Sequence, residues 1–167
     1  MTLHRDTRVV PYPADAMFDL VAGIEDYPDF IPWCLGMKVR ERSVADGRGH
    51  VVADMIVGYK IFRERFRSKV RLDRPAGAID VDYLNGPFKR LENRWRFIDR
   101  EGGGSTIDFT IDFEFKNRFL QATAQQVLDK AFKRLSDAFL KRADALYGSD
   151  RRQGELQRRL DRLSPDE

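Results

Sequence analysis

The sequence predicts an α+β fold: a curved seven-stranded antiparallel sheet wrapped around one long C-terminal helix, with two short helices between strands 1 and 2. Three observations carry this prediction. Residues 119–146, FLQATAQQVLDKAFKRLSDAFLKRADAL, contain neither Gly nor Pro and are rich in the helix formers Ala, Leu, Gln and Lys. Between residues 36 and 115 apolar residues recur at every second position, interrupted by Asp46-Gly47, Pro75-Ala76-Gly77, Asn85-Gly86-Pro87 and Gly102-Gly103-Gly104. Ahead of them, prolines and a glycine cut residues 11–34 into pieces too short for anything but brief helices.

Residues 3–10 read as the first strand. Pro13 suits the opening turn of a helix, ADAMFDLVA follows with Met17, Phe18, Leu20 and Val21 apolar, and Gly23 ends it. The segment 24–34 has two prolines yet carries Tyr27, Phe30, Ile31 and Trp33, so it reads as a core plug or the lip of a pocket. On the strands, Val51, Ala53, Met55, Val57, Tyr59 and Ile61 share one face, as do Phe66, Ser68, Val70 and Leu72. The same holds for Ile79, Val81 and Tyr83, for Asn93, Trp95 and Phe97, and for Ile107, Phe109, Ile111, Phe113 and Phe115. Such alternation marks antiparallel strands with one wet face. Glu41 falls with Met37 and Val39 and is the one carboxylate expected to point inward.

Wound as a helix, the terminal stretch gathers Leu120, Ala124, Val127, Leu128, Ala131, Leu135, Ala138, Phe139 and Leu146 on one face, the pattern of a helix packed on an apolar surface. Arg142 lies in this stripe and is expected to snorkel out near the helix end, an ion pair with Glu41 being the alternative. Gly148 is the expected stop, which divides the chain into a domain at 1–148 and a charged, flexible tail at 149–167.

Composition narrows the function. A chain of 167 residues, 42% hydrophobic and 34% charged, suits one soluble domain with a proper core. No apolar run approaches the ~20 residues needed to span a bilayer, and MTLHRDTRVV lacks the apolar centre of a signal peptide. One cysteine excludes an internal disulfide; two histidines and that cysteine argue against a transition-metal site. The net charge of +3 names no partner. Cys34 reads as a small buried residue, since no histidine lies near it. No nucleophile–base pair or pair of carboxylates converges, so the pattern does not point to an enzyme. The sheet's apolar face exceeds what one helix can cover, which leaves a cavity suited to a greasy ligand.

The stretches VPYPADAMFDLVAGIEDYPDFIPWC (10–34), VGYKIFRERFRSKV (57–70) and LNGPFKRLENRWRF (84–97) resemble the coenzyme Q-binding branch of the START-like, or helix-grip, superfamily, which includes polyketide cyclase/dehydrase-type proteins. The resemblance runs over about residues 2–147 and implies the helix-grip fold. It also implies non-enzymatic binding of ubiquinone or a similar isoprenoid lipid, without a catalytic cofactor, in a carrier or chaperone that supports respiratory electron transport. The expected location is cytoplasmic, peripheral at the inner face of a bacterial inner membrane, with no DNA partner. A sister branch of toxins, which bind the large ribosomal subunit and block subunit joining, shares the PYPADAMFDLV-like and GPFK segments. Pro32-Trp33-Cys34 and Gly58-Tyr59-Lys60 resemble the quinone branch more closely. A cavity enzyme of cyclase or hydrolase type is the third reading.

A quinone binder needs an apolar tunnel and one or two hydrogen-bond donors. The expected lining is Met55, Val57, Phe66, Val70, Val81, Trp95, Phe97, Phe109 and Ile111 on the sheet, with Val127 and Ala131 on the helix. Phe88 and Leu91 stand beside one opening, and Phe30 and Trp33 at the other lip. The candidate donors are the Trp95 indole, the Tyr59 or Tyr83 hydroxyl and the Asn93 amide, each of which can equally satisfy a backbone group. On the wet face, Arg63, Arg65, Arg67, Lys69 and Arg71 form a basic stripe that Asp54, Asp80 and Asp82 are too few to neutralise. The stripe suits anionic lipid headgroups or ribosomal RNA phosphates. Arg90, Arg94 and Arg96 are expected opposite Asp108, Asp112 and Glu114.

Overall fold

The structure, a computed structural model, describes residues 2–59 and 62–163. Within these it describes the side chains of all but residues 2, 59, 62, 123–125, 127, 128, 149–155 and 161. Strand β1 (Thr2–Val10) leads into α1 (Ala14–Ala22), a short 3-10 turn (Ile24–Asp26) and the one-turn α2 (Tyr27–Phe30). Six strands follow: β2 (Cys34–Ala45), β3 (Arg48–Tyr59), β4 (Phe62–Asp73), β5 (Ala78–Asn85), β6 (Phe88–Asp99) and β7 (Ser105–Phe115). Helix α3 (Arg118–Leu163) closes the chain. The seven strands form one antiparallel sheet in the order β1-β7-β6-β5-β4-β3-β2, and its inner face packs on α3. The predicted α+β, helix-grip architecture is the one observed.

Local chemistry explains the turns. Asp46 (φ 56°) and Gly47 (φ 77°) both take the left-handed conformation that a tight hairpin between β2 and β3 requires. At the β5–β6 turn, Gly86 has φ 147°, and a Cβ there would stand 2.5 Å from the Phe66 Cβ. The missing side chain lets this turn close over β4. A register shift in β2 between Val39 and Glu41 adds one residue against β3. The bulge reverses the inward–outward parity. Glu41 therefore does not share the face of Met37 and Val39; it points outward and meets His50 at 3.1 Å. Arg42 pairs with Glu25 beside the 3-10 turn instead.

Helix α3 also departs from its expected bounds. It continues through Gly148 to Leu163. A helical glycine costs only about 1 kcal/mol relative to alanine, too little to end a helix of 46 residues. Ala131, Phe139 and Ala143 are fully packed, with Leu120, Phe132, Leu135, Leu140 and Tyr147 partly buried around them. Leu146 was expected on that face but is 44% exposed. Past Ser136 the buried face turns toward Ala143 and Tyr147; the Tyr147 hydroxyl donates to the Ala16 carbonyl of α1 at 3.2 Å. Arg142 makes no pair with Glu41: its guanidinium carbon sits 5.3 Å over the Phe30 ring. Two polar ties fix the helix to β1, His4 to Asp129 at 2.8 Å and Arg8 to Asp137 at 3.1 Å. Among the described residues no helix is long and apolar enough to cross a membrane.

Candidate functional site

The inner face of the sheet does not close completely on α3. Between them lies a cavity of about 140 Å³. That is close to the ~150 Å³ apolar cavity known to take up benzene in another protein, so it accommodates about one ring. Strands β3, β4, β5 and β6 supply one wall through Ala53, Met55, Val57, Phe66, Val70, Val81, Leu91 and Trp95. Phe132, Leu135 and Phe139 of α3 form the opposite wall. The segment 21–33 closes one side with Val21, Ile24, Tyr27, Ile31 and Trp33.

Of the lining residues expected from sequence, Trp33, Met55, Val57, Phe66, Val70, Val81, Phe88, Leu91, Trp95 and Ile111 do surround the cavity. Trp33 is buried in the wall rather than hanging at its lip. Phe30 lies behind the wall, its ring 5.2 Å from that of Phe139 and beneath Arg142. Phe97 packs edge-on against Phe18 of α1 at 5.7 Å, and Phe109 stands 4.5 Å from Trp95. Both are core, because α1 covers that end of the sheet. Ala131 is completely buried and its neighbour Phe132 takes the lining position. The side chains of Tyr59 and Val127 lie outside the described residues.

The proposed donors are largely engaged within the protein. The Trp95 indole N–H donates to Asn93 Oδ1 at 3.0 Å, and Asn93 Nδ2 donates to the Thr110 carbonyl at 2.9 Å. The Tyr83 hydroxyl accepts the Phe88 backbone N–H at 3.1 Å, which turns it toward the β5–β6 turn. Burial pushes the Tyr83 phenol above its ordinary range. Tyr27 donates to the Val21 carbonyl, and burial, with a smaller contribution from Cys34, pushes its phenol up as well. Burial raises the Cys34 thiol to about 11, so the residue is protonated and unsuited to nucleophilic attack.

One polar lining residue, Glu64, escaped the sequence reading, while Ser68 lies on the inward face expected for it. Glu64 shares the inward parity of Phe66 and Ser68 and is the carboxylate that reaches the cavity, in place of Glu41. The same alternation that placed Phe66 contained this signal, hidden in the charged run Arg63–Arg67. Ser68 also lines the cavity, and its hydroxyl has no hydrogen-bond partner among the described residues. Also among the described residues, no group of three His, Cys, Asp or Glu side chains is placed to hold a metal ion.

The outer face of the sheet bears the basic stripe, partly neutralised. Asp54 is 3% exposed and accepts from Arg40 at 2.8 Å and from Arg65 and Arg67 at 2.7 Å each. Arg71 pairs with Asp82 at 2.5 Å. Arg63 and Lys69 have no ion-pair partner among the described residues. The expected partners for β6 hold for Arg90, which meets Asp112. Arg96 instead reaches Asp80 of β5 at 2.8 Å, and Asp108 is taken by Arg5 of β1.

A seven-stranded sheet gripping a terminal helix, with a ring-sized apolar cavity between them, defines a protein of the START-like class. The chain belongs to the polyketide cyclase/dehydrase and lipid transport family, whose model matches residues 10–140. Ribosome association toxin RatA of Pseudomonas aeruginosa is 33% identical over 140 residues, 84% of this chain and 94% of the toxin. Coenzyme Q-binding protein COQ10 homolog B, mitochondrial, of Xenopus laevis is 30% identical over 149 residues, covering 87% of this chain and 59% of that protein. The solution structure of an 18 kDa Caulobacter crescentus protein superposes with a TM-score of 0.73 at 40% identity, covering 89% of this chain and 99% of that one. A Streptomyces aromatase/cyclase superposes with a TM-score of 0.75 at 18% identity, over 86% of this chain and 93% of its own, a likeness of fold alone.

Proposed function

We propose that the protein binds ubiquinone or a similar isoprenoid lipid without transforming it, and acts as a carrier that supports respiratory electron transport at the cytoplasmic face of the inner membrane. The observation that carries this reading is the cavity: ring-sized, almost wholly apolar and walled by Trp33, Trp95 and Phe139. The coenzyme Q-binding relative and the Pro32-Trp33-Cys34 triplet support it. Among the described lining residues, Glu64 is a lone carboxylate and Ser68 has no base beside it, an arrangement suited to holding a ligand rather than to acid–base or nucleophilic chemistry. Organic extraction of protein purified from a quinone-producing bacterium, followed by mass spectrometry, is expected to release ubiquinone in near-stoichiometric amount. An extract free of quinone and related isoprenoids would remove this reading.

A second reading has its own support. The toxin match spans nearly the whole of that relative, and the outer face presents Arg63 and Lys69 beside an Asp54 cluster that leaves two guanidinium charges uncompensated. Such a face suits ribosomal RNA phosphates, in which case binding weakens steeply with salt. Replacing Arg63 and Lys69 with Glu reverses two charges without touching the Asp54 ion pairs. On the ribosome reading, this variant loses salt-sensitive co-sedimentation with large ribosomal subunits by roughly tenfold or more, while its quinone content stays unchanged. Equal sedimentation of variant and parent would make the stripe a solvated face.

A further inference from the structure

We infer that Ser68 is the polar anchor of the cavity, donating a hydrogen bond to a ring oxygen of the bound molecule. The inference rests on the lipid-binding reading and adds the orientation of the ligand: oxygenated ring inside, hydrocarbon chain leading out. Ser68 is 7% exposed, lies on the cavity wall, and has a hydroxyl with no partner among the described residues. A buried hydroxyl left without a partner is disfavoured, so an apolar residue would suit an empty core better at this point.

The surroundings account for its availability. Ser68 stands opposite Ala53 on β3 and Tyr83 on β5. Ala53 offers no polar atom, and the Tyr83 hydroxyl is turned away to the Phe88 amide. Ala53 and Ser68 are the smallest side chains around the cavity, and their adjacency hollows the sheet wall. Of the other polar residues on the cavity wall, Trp95 and Asn93 bond to each other and to the Thr110 carbonyl, and Glu64 stands four positions before Ser68 on β4, opposite Val57. A ligand carbonyl entering this hollow thus meets the Ser68 hydroxyl. The hydroxyl donates to a quinone carbonyl and accepts from a hydroquinone O–H, so the anchor serves both redox states. A cavity of about 140 Å³ holds the ring and not a long isoprenoid chain, so the chain lies outside it.

The test uses lipid-free protein, with decylubiquinone as probe and decylbenzene, which lacks the oxygens, as control. Trp33 and Trp95 line the cavity, so quinone binding is read as quenching of tryptophan fluorescence and decylbenzene binding as its competition. Ser68→Ala is expected to raise the Kd for decylubiquinone about five- to tenfold while leaving the constant for decylbenzene unchanged. Ser68→Thr, which keeps the hydroxyl, is expected to stay near the parent. An unchanged Kd for the quinone in Ser68→Ala, or equal weakening of both probes, overturns the anchor and leaves the cavity as the binding site. Absence of quinone quenching in the parent protein overturns the anchor and the lipid-binding reading together.

Discussion

Replacing Ala53 with leucine is expected to abolish quinone retention while leaving the protein equally or more heat-stable. Ala53 is a buried inward residue of β3 that borders the cavity. Leucine adds three carbons to a space that holds about one ring. In an ordinary core this change forces side chains off their rotamers and costs roughly 1–3 kcal/mol. Here the added atoms enter volume without protein neighbours, where filling a cavity contributes about 0.5–2 kcal/mol. For a domain of this size that is roughly 1–8 °C in Tm. Ligand affinity moves the other way, by ~30-fold or more, because ring and side chain compete for one volume. The decisive comparison pairs extracted quinone per protein with Tm on the lipid-free form. Full quinone content in a stable Ala53→Leu protein would place the ligand elsewhere.

The residues around Ala53 indicate how far the sequence could be read. Alternation along β3, β4 and β6 identified Met55, Phe66, Val70 and Trp95 as inward, and each of them lines the cavity. That succeeded because strand parity is a local property carried by consecutive residues. Parity fails where the register slips: the bulge after Val39 turned Glu41 outward, and nothing in the residue types there announces it. Cavity residues contributed by the 21–31 segment, such as Val21 and Ile24, were legible as apolar but not as lining. Their role depends on how α1 docks across the end of the sheet, which also makes Phe97 core by covering it with Phe18. On α3 the face was found and its bearing missed by one residue, exchanging Ala131 for Phe132. A helix stripe is broad, and only its tertiary partner decides which edge is wetted.

The two candidate surfaces sit back to back on one sheet. Inward residues of β4 face the cavity, while the outward ones, Arg63 to Arg71, form the basic stripe. The hydrophobic and electrostatic properties of this strand can therefore be varied separately. A substitution at Ser68 leaves the stripe untouched, and one at Lys69 leaves the cavity untouched. An account of function that needs both, such as lipid delivery at an anionic surface, predicts that each class of variant impairs delivery for its own reason.

Asp54→Asn is expected to destabilise the protein by about 2 kcal/mol at neutral pH, roughly 4–8 °C in Tm, while increasing the affinity of the outer face for polyanions. The carboxylate is buried and receives Arg67, Arg65 and Arg40 at 2.7–2.8 Å. The Arg67 bond is the main influence holding its pKa well below the usual carboxylate range; Arg65 and Arg40 act in the same direction and burial opposes them. Asparagine preserves the shape but withdraws the charge, leaving three guanidiniums close together. The pH dependence fixes the sign. A carboxyl whose folded pKa is depressed contributes its stability above the unfolded value of about 3.9 and loses it as pH falls through the folded value. The gap between parent and Asp54→Asn is therefore flat from about pH 5 to 8 and narrows only below about pH 4. Urea titrations across that range test it, and a gap that closes already near pH 6 would assign the stability to another group. The anion prediction runs opposite to the stability one: with no counter-charge, Arg40, Arg65 and Arg67 all become available to phosphate. Retention on a phosphate or heparin matrix should rise in the folded variant even as its Tm drops. If both fall together, Asp54 orients these arginines for anion contact rather than restraining them.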